Sequence, residues 1–154
     1  MISKSCEYGI KAVICISVNT LINKRISLAR VAENIKSPMA FTSKILQQLV
    51  RAEIVQSSKG SNGGFVINQQ KIEKLTMWDV VNAIDGNELE HKCILGLGSC
   101  SEENPCPVHS DYSVLRKSIL HFMNSTFIID LSKTVSDGES VLKSPLLMSN
   151  LKLI

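Results

Sequence analysis

Ser27-Leu28-Ala29-Arg30-Val31-Ala32-Glu33-Asn34-Ile35-Lys36-Ser37-Pro38 opens the stretch that decides the fold. Leu28, Val31, Ala32 and Ile35 recur at the spacing of one buried helical stripe. Ser27 is a residue type that caps a helix N-terminus. Lys36-Ser37-Pro38 breaks the pattern, with Ser37 suited to an N-cap and Pro38 to the first helical position. A further helix follows to about Ala52 and turns Ile45, Leu46 and Leu49 inward. Two short amphipathic helices joined by a tight turn are a helix-turn-helix signal.

The residues that follow add a wing. Val55-Gln56-Ser57-Ser58 and Phe65-Val66-Ile67 read as short strands around Lys59-Gly60-Ser61-Asn62-Gly63-Gly64. The Asn-Gly pair tolerates the positive φ of a tight hairpin turn. On the preceding helix, geometry points Ala40, Lys44, Gln47 and Arg51 outward, with Ser43 and Gln48 at the edges. Residues early in a recognition helix reach base edges, so Ser43, Lys44 and Gln47 are candidate readers of double-stranded DNA. Arg51 and Lys59 suit phosphate. Residues 24–59 hold seven Lys or Arg against Glu33 and Glu53, a net charge of +5, while residues 91–154 balance at zero. That patch fits phosphates, although a solvated face has the same composition.

Outward from this unit, residues 3–22 have helical spacing with Ile10, Val13, Ile14 and Leu21 on one stripe. Thr76 and Asp79 form a capping-box start for a helix carrying Met77, Val80, Val81 and Ile84, which Asp85-Gly86 stops. Trp78 reads as a packing anchor. From Ser110 a longer helix places Leu115, Ile119, Phe122 and Met123 on one side. That stripe exceeds what one winged helix buries, and a homodimer interface accounts for it. Asn124-Ser125 interrupts it, and Thr126 to Lys133 continues helically. The expected organisation is a winged helix-turn-helix DNA-binding domain at 1–86, a cysteine-rich cluster-binding loop at 87–109, a dimerisation helix at 110–134 and a mobile tail at 135–154. The expected fold class is mainly α, with a two-stranded wing and a long C-terminal dimerisation helix.

The loop carries Cys93, Cys100 and Cys106, followed by Pro107-Val108-His109. Between them lie Gly96, Gly98, Ser99, Ser101, Glu102, Glu103, Asn104 and Pro105, too few apolar residues for a core. Three thiols and an imidazole suit a metal or an iron–sulfur cluster. Cys₃His also makes a zinc site, but the close Cys-x-x-Cys pairs usual for zinc are absent. Thiol-based sensing without metal stays open. Cys15, in the apolar first helix, reads as core, and His91 and His121 as polar surface residues, with His91 a spare ligand.

The 154 residues suit one compact domain with an extension, and 44% hydrophobic content supports a core. Aromatic content of 5% argues against stacking on single-stranded nucleic acid. No apolar run reaches the roughly 18–20 residues of a membrane span. No signal-peptide pattern precedes the first helix, so the expected location is cytoplasmic, without a membrane partner. No nucleotide loop, catalytic triad or paired carboxylates suggest an enzyme. A protein-interaction module is the remaining rival.

These residues together resemble the bacterial winged-helix regulator family of the iron–sulfur regulator IscR, the nitric-oxide sensor NsrR and the cysteine regulator CymR. The resemblance covers about residues 2–134. It rests on Ser3-Lys4 with Tyr8 and Ala12, on Gly60 to Phe65, and on Cys93, Cys100 and Cys106 before a long helix. It implies a homodimeric transcription factor on a pseudo-palindromic operator. It implies a cluster on the three cysteines, 2Fe–2S ahead of 4Fe–4S, with zinc behind both. It offers two fourth ligands: His109, three residues after the last cysteine, or Glu7 of a partner subunit. Local spacing favours His109. Cys6 beside Glu7 departs from the pattern and offers a further ligand or redox thiol.

Overall fold

The computed structural model describes residues 2–142. Its elements are α1 (Lys4–Leu21), α2 (Leu28–Ile35), α3 (Met39–Arg51), β1 (Gln56–Ser58), β2 (Gly64–Val66), α4 (Gln69–Ile72), α5 (Met77–Asp85), α6 (Glu88–His91), α7 (His109–Ser125) and α8 (Ile128–Ser136). The architecture is mainly α, a winged helix-turn-helix with one antiparallel hairpin.

α1 begins where Ser3 accepts a hydrogen bond from the Cys6 amide. Its middle is buried on every side, because Ala12 through Ile16 form an unbroken buried run. A helix buried all round packs against several neighbours, and α1 meets α2, α3, α5, α8 and β2. The single stripe expected from spacing is therefore too narrow, and Leu21 lies on the surface. Gly9 lets α5 approach closely: a Cβ there would sit 2.0 Å from Ile84 Cδ1.

Ser27 caps α2 through the Arg30 amide, as expected. Lys36 ends it in the left-handed region, with φ 52° and ψ 54°. The cap of α3 differs from expectation: Pro38 occupies the N-cap and no side chain caps the helix. The Pro38 carbonyl instead takes hydrogen bonds from the Thr42 amide and hydroxyl. Ser37 Oγ is buried without a partner among the described residues.

The hairpin pairs Gln56 with Val66, Ser57 with Phe65 and Ser58 with Gly64. Its turn also departs from expectation. Positive φ falls on Gly60 (103°) and Gly64 (136°), not on Asn62 or Gly63. The Gly63 amide bonds the Gly60 carbonyl at 2.9 Å, closing a four-residue turn one step earlier in the chain. At Gly64 a Cβ would lie 2.7 Å from the Ile26 carbonyl oxygen. That closeness lets Ile26 and Phe65 exchange two backbone hydrogen bonds, which tie the wing to the α1–α2 connection.

Thr76 and Asp79 complete the capping box of α5. α7 starts at His109 and divides the expected apolar stripe. Met123 is buried and Ile119 packs beside it against Cys6 and Val81, with Trp78 and Leu89 nearby. Leu115 and Phe122 face outward and are more than half exposed, as is Val114. Residues one helical step apart point in different directions, and α5 covers only one of them. α8 extends to Ser136 and buries Ile128 and Ser132. Val135 and Leu142, within the expected tail, pack on the main core. The rest of that tail, residues 143–154, lies outside the described residues.

Thr20 joins the wing to α1 inside the core. Its hydroxyl donates to the Ile16 carbonyl at 2.9 Å and accepts the Ile67 amide at 3.1 Å. Thr20→Val keeps the shape but leaves the buried Ile67 N–H unpaired, which costs about 1–3 kcal/mol. Chemical denaturation should show that loss with an unchanged m-value. A stability equal to the wild type would mean that water or another acceptor replaces the hydroxyl.

Candidate functional site

Two regions carry the candidate residues. The first is the outer face of α3. Thr42, Ile45, Leu46 and Leu49 are buried, which leaves Ala40, Lys44, Gln47, Gln48 and Arg51 exposed and Ser43 half-buried. Gln47 Nε2 reaches Ser43 Oγ at 3.5 Å, a long contact that holds neither group firmly. Lys59 is exposed beside the hairpin turn. Lys71 reaches the same side but is paired with Glu53 at 3.2 Å. Arg25 lines an open hollow with Gln56, Ser57 and Ser58 on the flank of the wing.

α1 adds cations that the basic segment 24–59 does not include. Tyr8 meets Phe41 of α3 edge to face, with ring centroids 5.7 Å apart. Lys11 Nζ lies 5.1 Å from the Tyr8 ring centroid and Lys4 Nζ 5.9 Å from it. These lysines thus stand beside the start of α3. Their spacing around Tyr8 on one helical face was the available signal.

The second region is the cysteine loop. α6 and a turn lead into Cys93, whose side chain is only 4% exposed. The chain doubles back: the Cys93 amide bonds the Gly98 carbonyl at 3.0 Å, and the Cys100 amide bonds the His91 carbonyl at 2.7 Å. Cys100 and Cys106 are half-buried. Cys100 Sγ lies 3.2 Å from His109 Nδ1. Behind the backbone N–H groups of Leu95 and Leu97, Cys106 contributes in a minor way to the lowered pKa of the Cys93 thiol. Of the four donors, Cys100 and His109 are the pair in hydrogen-bond contact among the described residues. Among the described residues no three His, Cys, Asp or Glu side chains stand together as a ready-made metal site. One group bound by all four needs Cys93 and Cys106 to close on the Cys100–His109 pair.

The electrostatics separate the thiols. The backbone N–H of Leu95, then that of Leu97, hold the Cys93 thiol below its ordinary pKa against the opposing effect of burial. Cys6 is the opposite case: burial, then the Asp85 carboxylate, push its thiol up to about 12. It faces Val81 and Met123, away from the loop. Glu7 is on α1, paired with Lys4 at 2.7 Å, and that hydrogen bond holds its carboxyl below the ordinary range. His91 is exposed, with Nε2 3.7 Å from Glu90. Arg116 Nη1 bonds the Lys92 carbonyl at 3.5 Å, a weak tie between loop and α7.

The donor chemistry of the loop fits an iron–sulfur cluster, since thiolates and an imidazole are ligands that such clusters take. No helix among the described residues is long and apolar enough to cross a membrane.

The raised Cys6 pKa makes a testable claim about alkali. The folded state holds this proton more tightly than the unfolded chain, whose thiol has the ordinary value of 9.0. Its contribution to stability is complete below that value and is lost as pH rises through about 12. Stability measured between those limits should fall with pH, and Cys6→Ala should flatten that slope. An identical slope in the variant would assign the alkaline loss to another group.

The family model described as Rrf2, iron-dependent transcriptional regulator, matches residues 2–134. A candidate HTH-type transcriptional regulator of Aquifex aeolicus (strain VF5) is 29% identical over 131 residues, covering 84% of this chain and 89% of its own. Among solved structures, the global cysteine regulator CymR of B. subtilis superposes with a TM-score of 0.69 at 20% identity, covering 86% of this chain and 96% of its own. IscR of T. potens gives 0.69 at 16% identity, with 96% of each chain covered. The oxidised form of Staphylococcus aureus CymR gives 0.68 at 18% identity, with 86% and 95% covered. At these identities the structural likeness speaks for the fold.

Proposed function

The chain belongs to the Rrf2 family of transcriptional regulators, and from that premise we propose that it is a homodimeric DNA-binding switch whose operator affinity is set by an iron–sulfur cluster on Cys93, Cys100, Cys106 and His109. The family is one of transcriptional regulators, not enzymes. The observation that carries the cluster reading is the contact of Cys100 Sγ with His109 Nδ1 at 3.2 Å in the loop that also holds Cys93 and Cys106. When bound, a cluster supplies a redox-active group that also responds to nitric oxide and to cluster supply. In this reading a 2Fe–2S cluster ranks ahead of 4Fe–4S, and zinc behind both.

The protein's own residues supply the rest. In this reading α3 enters the major groove, with Ser43, Lys44 and Gln47 toward base edges and Ala40 and Gln48 beside them. Arg51 and Lys59 hold phosphates, which sets register without reading sequence. His109 is the first residue of α7, so drawing it with Cys100 toward Cys93 and Cys106 moves the start of that helix. α7 packs on α5, and α5 packs on α1 and α3. A change in the loop is thereby next to the elements that place α3.

The dimer reading rests on the outer face of α7. Val114, Leu115 and Phe122 are large apolar side chains in solvent, and a second copy on a twofold axis would bury them. Ile119 packs inward, so a charge there would damage the fold as well. Phe122→Glu is the cleaner change. It should give folded monomers by sedimentation and a loss of operator binding. An intact dimer would move the interface off α7.

A metal-free thiol switch is the second reading. Three free cysteines in one loop favour it, and proteins similar in fold include an oxidised CymR. The deciding experiment is anaerobic purification with visible spectroscopy and iron and sulfide analysis, comparing His109→Ala with Glu7→Ala. Visible absorption from iron and sulfide is expected in the wild type, altered or lost in His109→Ala and retained in Glu7→Ala. The reverse pattern would give the fourth ligand to Glu7. A colourless wild type loaded with zinc would end the cluster reading.

A further inference from the structure

Lys4 is the first residue of α1. A cation there meets the positive end of the helix dipole, where a carboxylate is the stabilising choice. Glu7, one turn on, offsets it through an ion pair at 2.7 Å. Helix stability therefore does not account for a lysine at this position. Lys11 follows on the same face of the helix. Among the described residues it joins no ion pair, and its Nζ stands 5.1 Å from the Tyr8 ring centroid. Lys4 Nζ stands 5.9 Å from the same centroid. Tyr8 rests edge-on against Phe41, the third residue of α3, with centroids 5.7 Å apart. One aromatic contact thus ties two cations to the N-terminal end of α3. The other end of α3 carries Arg51, its last residue, and the wing with Lys59 follows it. From Phe41 to Arg51 the helix spans about 15 Å, at roughly 1.5 Å per residue. The major groove of DNA is about 12 Å wide. The helix is long enough to bring its two ends to the two phosphate-lined rims.

We propose that Lys4 and Lys11 form a second phosphate clamp at the N-terminal end of α3, gripping the rim of the major groove opposite the one held by Arg51 and Lys59. The partner is the sugar–phosphate backbone of double-stranded DNA. The clamp rests on the reading above that α3 enters the major groove, and not on the cluster. Tyr8 is its positioning residue. The attraction of a cation to an aromatic face holds both ammonium groups near the ring, and Phe41 holds the ring. In the DNA-free protein Glu7 keeps Lys4 folded back on α1. A phosphate takes the place of that carboxylate when the duplex arrives. The clamp sets register and affinity and reads no base.

Each phosphate contact releases counterions, so the salt dependence of binding counts the contacts. The test uses the full chain and a random-sequence DNA duplex. Lys4→Ala and Lys11→Ala should each weaken binding and lower the slope of log affinity against log salt by about 1. Lys4→Arg and Lys11→Arg should keep the wild-type slope. Lys133→Ala, on α8, removes the same charge and should keep it too. Tyr8→Leu should weaken binding in the wild-type background and add little to the Lys4→Ala/Lys11→Ala double variant. An equal loss in both backgrounds would overturn the positioning role of Tyr8. Wild-type slopes in both alanine variants, or an equal drop in Lys133→Ala, would overturn the clamp and leave α3 as the DNA reader. A wild type that binds no duplex would overturn the DNA reading and the clamp with it.

Discussion

Everything in this chain is arranged around the burial of α1. Ala12, Val13 and Ile16 have no solvent exposure, so that helix cannot lie on a surface and must be enclosed. α2 and α3 enclose it on the side of the helix-turn-helix, α5 on another, and α8 returns along it. Gly9 removes the side chain that would keep Ile84 of α5 away. At its far end Thr20 satisfies the Ile67 amide, and so the wing takes its place from the same helix. The enclosure leaves the outer face of α3 and the tip of the wing free, because their inner faces are used up in the core.

A second, smaller cluster joins α7 to this centre. Cys6 of α1, Val81 of α5 and Met123 of α7 are buried together, with Ile119, Trp78 and Leu89 around them. The first turn of α1 is bound to the end of α5, since the Ser3 amide and hydroxyl both donate to Asp85. That carboxylate also sits at the positive end of the α1 dipole. From Ile119 and Met123 of α7, packed side chains run through Val81 and Ile84 of α5 to the cluster that holds Ile45 and Leu46 under α3. Contiguity supplies a means for coupling; coupling itself is a difference in free energy between two states.

Much of the winged helix-turn-helix was legible because its signals are local. Ser27, Thr76 and Asp79 act on amides three residues away, and Ile45, Leu46 and Leu49 reveal their face by period alone. The exceptions have equally local causes that compete with the rule used. Asn62-Gly63 looked like the turn centre, yet the close approach of Gly64 to Ile26 took the positive φ to the glycines on either side. Ser37 looked like a cap, but the cap falls one residue later, on Pro38, and the helix begins at Met39. Lys4 and Lys11 escaped notice beside α3 because nothing in their own segment says that Tyr8 will meet Phe41.

Sequence alone determined the helical and strand periods, the capping residues, the presence of three thiols and an imidazole in a glycine-rich loop, and the outward set on α3. Each depends on residues within one or two turns of one another, where backbone geometry leaves few choices. Tertiary structure alone decided which way the apolar residues of α7 divide, that Cys6 faces the core, and that Cys100 meets His109. Spacing limits how far a loop can reach but not how it closes. Closure is set by where α6 and α7 hold its ends and by the backbone bonds from the Cys93 amide to Gly98 and from the Cys100 amide to His91.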